Sequence, residues 1–216
     1  MGSGLLPRLL AVLIGYICGM FQSAYIIGRI KGVDIRDYGS GNSGTTNAVR
    51  VFGRLTGLYV FLLDVFKCVL AIVLTKYLIG RYCPDLVWVV KMYAFAGCVL
   101  GHDYPAYMKF KGGKGVAVTG GFVMAYHPVL FPIALLAFGI PYFITKYVSL
   151  GSLIMYTTVF LSILIMGVAG VFAPSTRGNI AEICIIFFIL TAMVFIRHRS
   201  NIDRLRKGTE NKTKLW

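Results

Sequence analysis

Charged side chains are scarce: Asp, Glu, Lys and Arg make up 14% of the 216 residues, against about 25% in soluble domains. Acidic residues are the rarest, with 8 against 22 basic ones, so the formal net charge is +14. Together with 57% hydrophobic residues, this excludes an ordinary soluble globule and a disordered chain. Since most apolar residues lie in long runs, the basic excess indicates membrane topology rather than nucleic-acid binding.

Signatures of metal, disulfide and nucleotide chemistry are also missing. The five cysteines show no Cys-x-x-Cys spacing, and their odd number argues against a disulfide framework or a zinc site. No Asp-x-x-Asp cluster is present to hold Mg²⁺, and no Gly-x-x-x-x-Gly-Lys-Ser/Thr loop is present to bind a nucleotide. The sequence therefore predicts neither a metal nor a cofactor.

Seven apolar segments predict an all-α integral membrane protein with seven transmembrane helices in a single polytopic domain, 1–216. The segments are 5–30, 55–79, 86–102, 115–126, 129–145, 149–173 and 180–197. A spanning helix needs about 20 residues, so segment 115–126 must be tilted, re-entrant or shielded by its neighbours.

Basic residues set the predicted orientation. They cluster after the first and third segments and in the charged tail 198–216, and cytoplasmic loops carry the excess of Lys and Arg. If all three clusters share one side, the chain crosses an even number of times between Lys114 and Arg197. The stretch 116–145 then holds two helices that turn near His127 and Pro128. This predicts an N-terminus outside and a C-terminus in the cytoplasm.

The first polar loop alternates glycine with small hydroxyl and amide residues. Glycine lets backbone N–H groups approach an anion, and a helix beginning near Thr45 would add free N–H groups and a favourable dipole. The alternative is a flexible turn with a helix cap. The candidate phosphate-binding residues here are Ser40, Gly41, Asn42, Gly44, Thr45, Thr46, Asn47 and Arg50.

The second polar loop combines lysines with bare backbone and follows a histidine. An ammonium beside glycine N–H groups is suited to phosphate, although a positive-inside anchor would explain the lysines alone. His102 is a candidate general acid or base because the ordinary pKa of histidine lies near neutrality, or else a structural group at a helix end. The candidates here are His102, Lys111, Gly112, Gly113 and Lys114.

The third polar segment, in the tail, offers a second histidine, an amide and several arginines. A stop-transfer tail is the alternative explanation. The candidates here are His198, Arg199, Asn201, Arg204 and Glu210. Together the three segments contain more hydrogen-bond donors and basic groups suited to phosphate than acidic residues, which predicts a site for anions.

Two charges lie within the second apolar segment. Asp64 and Lys67 are i, i+3 neighbours, and charges at this depth are usually paired, so a mutual structural pair is predicted. On one continuous helix Arg50 and Asp64 would lie about 21 Å apart, which predicts that Asp64 is remote from the first loop.

The three polar segments resemble, in order, the three motifs of the bacterial acyl-phosphate:glycerol-3-phosphate acyltransferases, the PlsY family. Segment 63–67 is also similar to that family. The matching stretches are 39–47 with Arg50, 101–105 with 110–116, and 198–202 with Arg204, Leu205 and 208–210.

The resemblance implies an enzyme of the bacterial inner membrane with its site facing the cytoplasm. Such an enzyme moves a fatty acyl chain from acyl phosphate to the 1-hydroxyl of sn-glycerol 3-phosphate, giving lysophosphatidic acid and inorganic phosphate. This is the first acylation of phospholipid synthesis. The implied partners are the two substrates and membrane lipid, with no nucleic acid and no obligate protein partner.

Acyl phosphate is already activated, so the preferred mechanism is direct attack by the substrate hydroxyl without an acyl-enzyme. Its proton would go to His102, His198 or a substrate phosphate oxygen. Ser40 is a possible nucleophile, but phosphate binding is favoured because no base adjoins it in the sequence. Asn201 and Ser40 would orient phosphate or the carbonyl oxygen.

Two other classes compete with this prediction. A transporter or channel for an anionic metabolite would also use helix N-termini and basic groups, but it often shows an internal repeat, and none is visible here. An acyltransferase using acyl-CoA is the second. The His-x4-Asp motif of such enzymes is absent, because the residue five after His102 is Tyr107.

Overall fold

The computed structural model describes residues 4–172 and 179–213, which form a helical bundle without a strand. The α-helices of these ranges are α1 Leu5–Gly19, α2 Ser23–Ile30, α3 Thr45–Phe52, α4 Arg54–Thr75, α5 Val87–Asp103, α6 Val116–Tyr126, α7 Leu130–Thr145, α8 Val148–Val168, α9 Ile180–Arg197 and α10 Arg199–Arg206. A π-helical turn, Lys76–Gly80, extends α4. The all-α prediction is confirmed for the described residues.

Within residues 4–172 and 179–213, five helical segments are long and apolar enough to cross a membrane. They are Leu5–Ile30, Arg54–Gly80, Pro84–Met108, Val148–Val168 and Ile180–Arg197. The apolar helices α6 and α7 are shorter, so the count of seven spans stays a prediction. Helix α8 ends at Val168, before the predicted end at 173, which lies outside the described residues.

Helix α6 is too short to cross a hydrocarbon core by itself. Its 11 residues span about 17 Å at 1.5 Å per residue. The ammonium of Lys91 in α5, only 6% exposed, donates to the carbonyl of Tyr126 at 2.6 Å and so satisfies a backbone group at the end of α6. A neighbouring helix therefore supplies a partner at this end of α6, which is compatible with the predicted shielding, while the state of this segment in the membrane stays a prediction.

The predicted first span, 5–30, is two helices rather than one. Helix α1 ends at Gly19 and α2 begins at Ser23. The break frees the carbonyl of Phe21, which accepts a hydrogen bond from the ammonium of Lys67 at 2.7 Å. A break at this depth is tolerated because the protein supplies the partner that lipid cannot.

Helices α1 and α5 pack backbone to backbone through glycines. A Cβ added to Gly15 would lie 2.0 Å from the carbonyl oxygen of Ala94, and one on Gly97 would lie 2.2 Å from that of Val12. Since lipid supplies no hydrophobic force between helices, such close van der Waals contact drives their association. This packing places the end of α5, with His102, beside the break between α1 and α2.

Helix α3 begins at Thr45, as predicted, but ends at Phe52. Gly53 has a φ of +85°, which glycine tolerates, and turns the chain into α4. The two helices then pack closely, since a Cβ on Gly57 would lie 2.2 Å from Cγ2 of Val49. The premise that Arg50 and Asp64 lie on one continuous helix is therefore wrong, and the remoteness of Asp64 from the first loop stays a prediction.

Candidate active site

Asn47 shapes the first polar loop. Its Oδ1 accepts from the backbone N–H of Ser40 at 2.8 Å, and its Nδ2 donates to the carbonyls of Ile35 at 3.1 Å and Tyr38 at 3.0 Å. The side chain is 1% exposed, and both amide hydrogens are used. Asn47 thus holds the loop in shape with both of its donors engaged, and its predicted phosphate contact stays a prediction.

Unpaired polar atoms collect where this loop enters α3. The hydroxyl of Thr45 and Oδ1 of Asn42 are buried without a hydrogen-bond partner in the described chain. The N-cap residue of α3 is Gly44, which has no side chain to accept from the first N–H groups of the helix, such as that of Thr46. Buried unpaired groups are costly, and an anion at this end of α3 would accept from the Thr45 hydroxyl and the first N–H groups, whereas Oδ1 of Asn42 needs a donor.

The second loop folds back onto the end of α5. The N–H of Gly112 donates to the carbonyl of Asp103, and that of Gly113 to the carbonyl of His102, both at 3.0 Å. Lys114 then reaches the third segment, donating to Oδ1 of Asn201 at 2.6 Å. The second and third polar segments therefore lie together, as the sequence predicted.

Glu210 is the hub of the third segment. It is 8% exposed and accepts from Ser149 at 3.0 Å, from Asn201 at 2.7 Å and from Arg204 at 2.7 Å. Burial raises the pKa of Glu210, but these hydrogen bonds outweigh it and hold the pKa below its usual value. An ionised Glu210 thus orients Asn201, which contacts Lys114.

Two groups of the site have pKa values lowered into a range that matters for chemistry. Burial, with the positive charges of Arg204 and Arg197, lowers the pKa of Lys114 to about 8. Burial, with the charge of Lys114, lowers the pKa of His198 to about 4. His198 Nδ1 lies 2.9 Å from the carbonyl of Val194, so Nδ1 carries the hydrogen and neutral His198 leaves Nε2 as an acceptor.

Arg197 contacts the second loop, although the sequence did not single it out as a candidate. It donates to the carbonyls of Gly112 and Gly113, the first at 3.1 Å, and its Nε lies 3.4 Å from Oδ2 of Asp103. The available signal was its place directly before His198. Several arginines in this segment have similar sequence surroundings, so the sequence did not rank them.

These contacts border an open, shallow pocket of about 310 Å³. Its lining includes the residue types that the sequence predicted for phosphate binding, namely glycine, an amide, lysine and arginine. The lining residues are Gly41, Asn42, Phe110, Lys111, Gly112, Lys114 and Arg197. The pocket therefore joins the first and second loops to the end of α9 and carries an excess of positive charge.

The C-terminal tail closes over the same face. Arg50 of α3 donates to the hydroxyl of Thr213 at 2.7 Å. The N–H of Thr213 donates to the carbonyl of Lys146, and its own carbonyl accepts from the hydroxyl of Tyr142, both at 3.1 Å. The tail thereby links the first polar loop to the connection between α7 and α8, which the sequence did not predict.

Some predicted residues stay at the margin of this arrangement. Ser40 is exposed, and its hydroxyl makes no hydrogen bond with the described residues. Arg199 is exposed at the start of α10 and contacts none of the other candidates in the described ranges. The direct phosphate contacts predicted for both stay predictions.

His102 lies beneath the loops rather than in the open pocket. It is 2% exposed, and its Nδ1 lies 2.8 Å from the ammonium of Lys67. Lys67 in turn forms an ion pair with Asp64 at 2.9 Å, so the predicted pairing of these two charges is confirmed. Asp64 Oδ1 also lies 4.0 Å from His102. The pair is thus joined to the end of α5.

The chain is similar along nearly its whole length to known proteins. A family model described as glycerol-3-phosphate acyltransferase matches residues 9–208. The protein of that name from Thermoanaerobacter sp. (strain X514) is 41% identical over 205 residues, 94% of each chain. That from Mycoplasmopsis synoviae (strain 53) is 37% identical over 210 residues, 94% of this chain and 92% of the relative.

Two solved structures resemble the fold. Both are crystal structures of PlsY (YgiH), described as an integral membrane glycerol 3-phosphate acyltransferase, and both are 33% identical to this chain. The glycerol 3-phosphate form has a TM-score of 0.80 and the lysophosphatidic acid form one of 0.78. Each comparison covers 95% of this chain and 94% of the other.

Proposed function

Because the chain belongs to the glycerol-3-phosphate acyltransferase family, we propose that it acylates the 1-hydroxyl of sn-glycerol 3-phosphate, with acyl phosphate as donor. The products are lysophosphatidic acid and inorganic phosphate. The related PlsY structures, described as glycerol 3-phosphate and lysophosphatidic acid forms, support this acceptor and this product.

The pocket of Lys111, Lys114 and Arg197, floored by glycine backbone, is the observation that carries the proposal. Both substrates carry a phosphate, so a site for them must neutralise two anions close to lipid. One phosphate lies at the N-terminus of α3 with Thr45, whose buried hydroxyl is unpaired among the described residues and can donate to it. The other lies against Lys114 and the Gly112 backbone.

The transfer is a direct displacement. The 1-oxygen of glycerol 3-phosphate bonds to the acyl carbonyl carbon, and the bond from that carbon to the phosphate oxygen breaks. Phosphate leaves with the bonding electron pair, and the hydroxyl proton passes to Nε2 of His198 or to a substrate phosphate oxygen. Positioning and stabilisation of charge by the surrounding cations supply most of the rate.

A groove between α8 and α9 accommodates the acyl chain. It has a volume of about 310 Å³ and is lined by Leu153, Ile154, Thr157, Thr158 and Phe195. Leu153 of the groove lies one helical turn after Ser149, which donates to Glu210, so the groove begins beside the third polar segment. An apolar tail lying there keeps contact with the bilayer while its phosphate end reaches the loops.

The same proposal includes the topology. Seven spans place the N-terminus outside, and the three polar segments on the cytoplasmic face of a bacterial inner membrane. The contacts of Lys114 with Asn201 and of Arg50 with Thr213 support a common face for the three segments. The basic residues of these segments support its cytoplasmic orientation.

The test is donor choice by the purified protein. We expect phosphate release and lysophosphatidic acid from palmitoyl phosphate with glycerol 3-phosphate, and no product with acyl-CoA or acyl carrier protein. A flux assay in liposomes measures transport of glycerol 3-phosphate and so distinguishes an acyltransferase from the rival class of transporters. Transport of glycerol 3-phosphate without acyl transfer would refute the proposal, and product formed only from acyl-CoA would refute the donor.

A further inference from the structure

A buried cluster of three titratable side chains lies beneath the pocket. Asp64, Lys67 and His102 are 1%, 3% and 2% exposed. Asp64 and Lys67 come from α4 and His102 from the end of α5, so the cluster joins two helices. None of the proposed chemical steps requires Asp64 or Lys67. Because burying charged groups costs free energy, their presence indicates a structural or functional role.

The hydrogens of Lys67 are fully allocated. An ammonium has three donors and no acceptor. Three acceptors surround Lys67 Nζ: the carbonyl of Phe21 at 2.7 Å, Oδ1 of Asp64 at 2.9 Å and Nδ1 of His102 at 2.8 Å. His102 Nδ1 must therefore accept, so its ring is neutral and its hydrogen is at Nε2.

The opposite edge of this ring supports the second loop. A Cβ built on Gly113 would lie 2.0 Å from Nε2 of His102, so the Gly113 backbone rests on that edge. The N–H of Gly113 also donates to the carbonyl of His102 at 3.0 Å. Gln22 donates to the same carbonyl at 2.8 Å and accepts from Ser43 of the first loop.

We propose that Asp64 and Lys67 are positioning residues that hold His102 as its Nε2–H tautomer against Gly113, which fixes the loop carrying Lys114. With its lone pair at Nδ1 engaged by Lys67, His102 is not the acceptor of the hydroxyl proton. The effect on catalysis rests on the proposed function, whereas the tautomer does not.

The tautomer is measured directly by nuclear magnetic resonance. The chain has three histidines, so the ¹⁵N-histidine-labelled protein in detergent gives few signals, which His127→Gln and His198→Gln assign. We expect hydrogen at Nε2 of His102 in the wild type. In Lys67→Met, Asp64 becomes the nearest charged partner of Nδ1, so the hydrogen moves to Nδ1.

A wild-type ring with hydrogen at Nδ1 or at both nitrogens overturns the proposal, as does an unchanged tautomer in Lys67→Met. If Lys67→Met does not fold, the wild-type spectrum alone decides.

The kinetic arm uses a second buried lysine as a matched control. Lys91 lies near the other end of α5 and bonds the carbonyl of Tyr126, away from the loops. We expect Lys67→Met to lower kcat by about 100-fold, the effect of a misplaced reacting geometry, while Lys91→Met with a similar loss of Tm keeps its kcat. Equal kcat in the two variants overturns the positioning role. If the wild type transfers no acyl group, the proposed function fails, and the spectra still judge the tautomer.

Discussion

Replacing the ammonium of Lys114 is the most direct test of phosphate binding in the proposed pocket. Lys114 lines the pocket and donates to Oδ1 of Asn201 at 2.6 Å. Lys114→Met keeps an unbranched side chain, one heavy atom shorter, without the charge and the N–H donors. The variant therefore tests the cation together with its contact to Asn201.

The expected loss follows from the energy of a desolvated charge pair. Truncating one partner of such a pair costs about 2–5 kcal/mol. Since each 1.36 kcal/mol corresponds to a tenfold change in rate, kcat/KM for Lys114→Met falls by about 30- to 5,000-fold.

The pH profile gives an independent signature of the same residue. Burial and the neighbouring arginines lower the pKa of Lys114 to about 8. The protonated form, which binds phosphate, is thus present below about pH 8 and is lost above it, so kcat/KM of the wild type declines as the pH rises through 8. Lys114→Arg stays charged at every working pH and loses this decline.

The assay is phosphate release from palmitoyl phosphate with glycerol 3-phosphate, corrected for hydrolysis without protein. Lys109→Met is the matched control, because Lys109 belongs to the same loop but does not line the pocket. We expect it to keep the wild-type rate. Wild-type kcat/KM in Lys114→Met, or an alkaline decline that persists in Lys114→Arg, would refute the proposal that the Lys114 ammonium binds a substrate phosphate.

Three further predictions concern the loops and the chemistry. Asn47→Ala leaves the buried Ile35 and Tyr38 carbonyls without their donor, so we expect about 1–3 kcal/mol of lost stability. Thermal unfolding in detergent measures it, with exposed Asn211→Ala as the control. Ser40→Ala keeps measurable transfer, because no base contacts this exposed hydroxyl; an acylated Ser40 in a mass spectrum would contradict direct attack. Activity survives EDTA, since the described residues contain no cluster of three metal-ligating side chains; loss reversed only by added metal would count against this mechanism.

Much of the architecture was predictable because the bilayer constrains a chain locally. Backbone groups in lipid must bond within their own helix, so apolar runs become helices whatever they pack against. Helix α9 accordingly occupies Ile180–Arg197, where the apolar run lies. The exceptions were the breaks after Gly19 and at Gly53, where the protein or a glycine accommodates the turn, and hydropathy does not register either cause.

Within the site, the sequence predicted chemistry better than placement. Asn47 and Thr45 are both small polar residues at the start of α3, yet Asn47 ties the loop together and the Thr45 hydroxyl stays unpaired. Arg197 and Arg199 lie on either side of His198, but only Arg197 lines the pocket. Residues of the same type in one segment point in different directions around the helix. Which direction faces the pocket depends on how the helices pack.

An all-helical membrane protein, the three polar segments and membership in a family of acyltransferases could be predicted from the residues alone. These depend on composition, local periodicity and motif order, which a linear chain displays in full. The return of the tail to Arg50, the place of Arg197 at the pocket and the contact of Lys67 with His102 became visible in the folded chain. Each of these contacts joins residues far apart in the chain, and its energy exists only once the helices have packed.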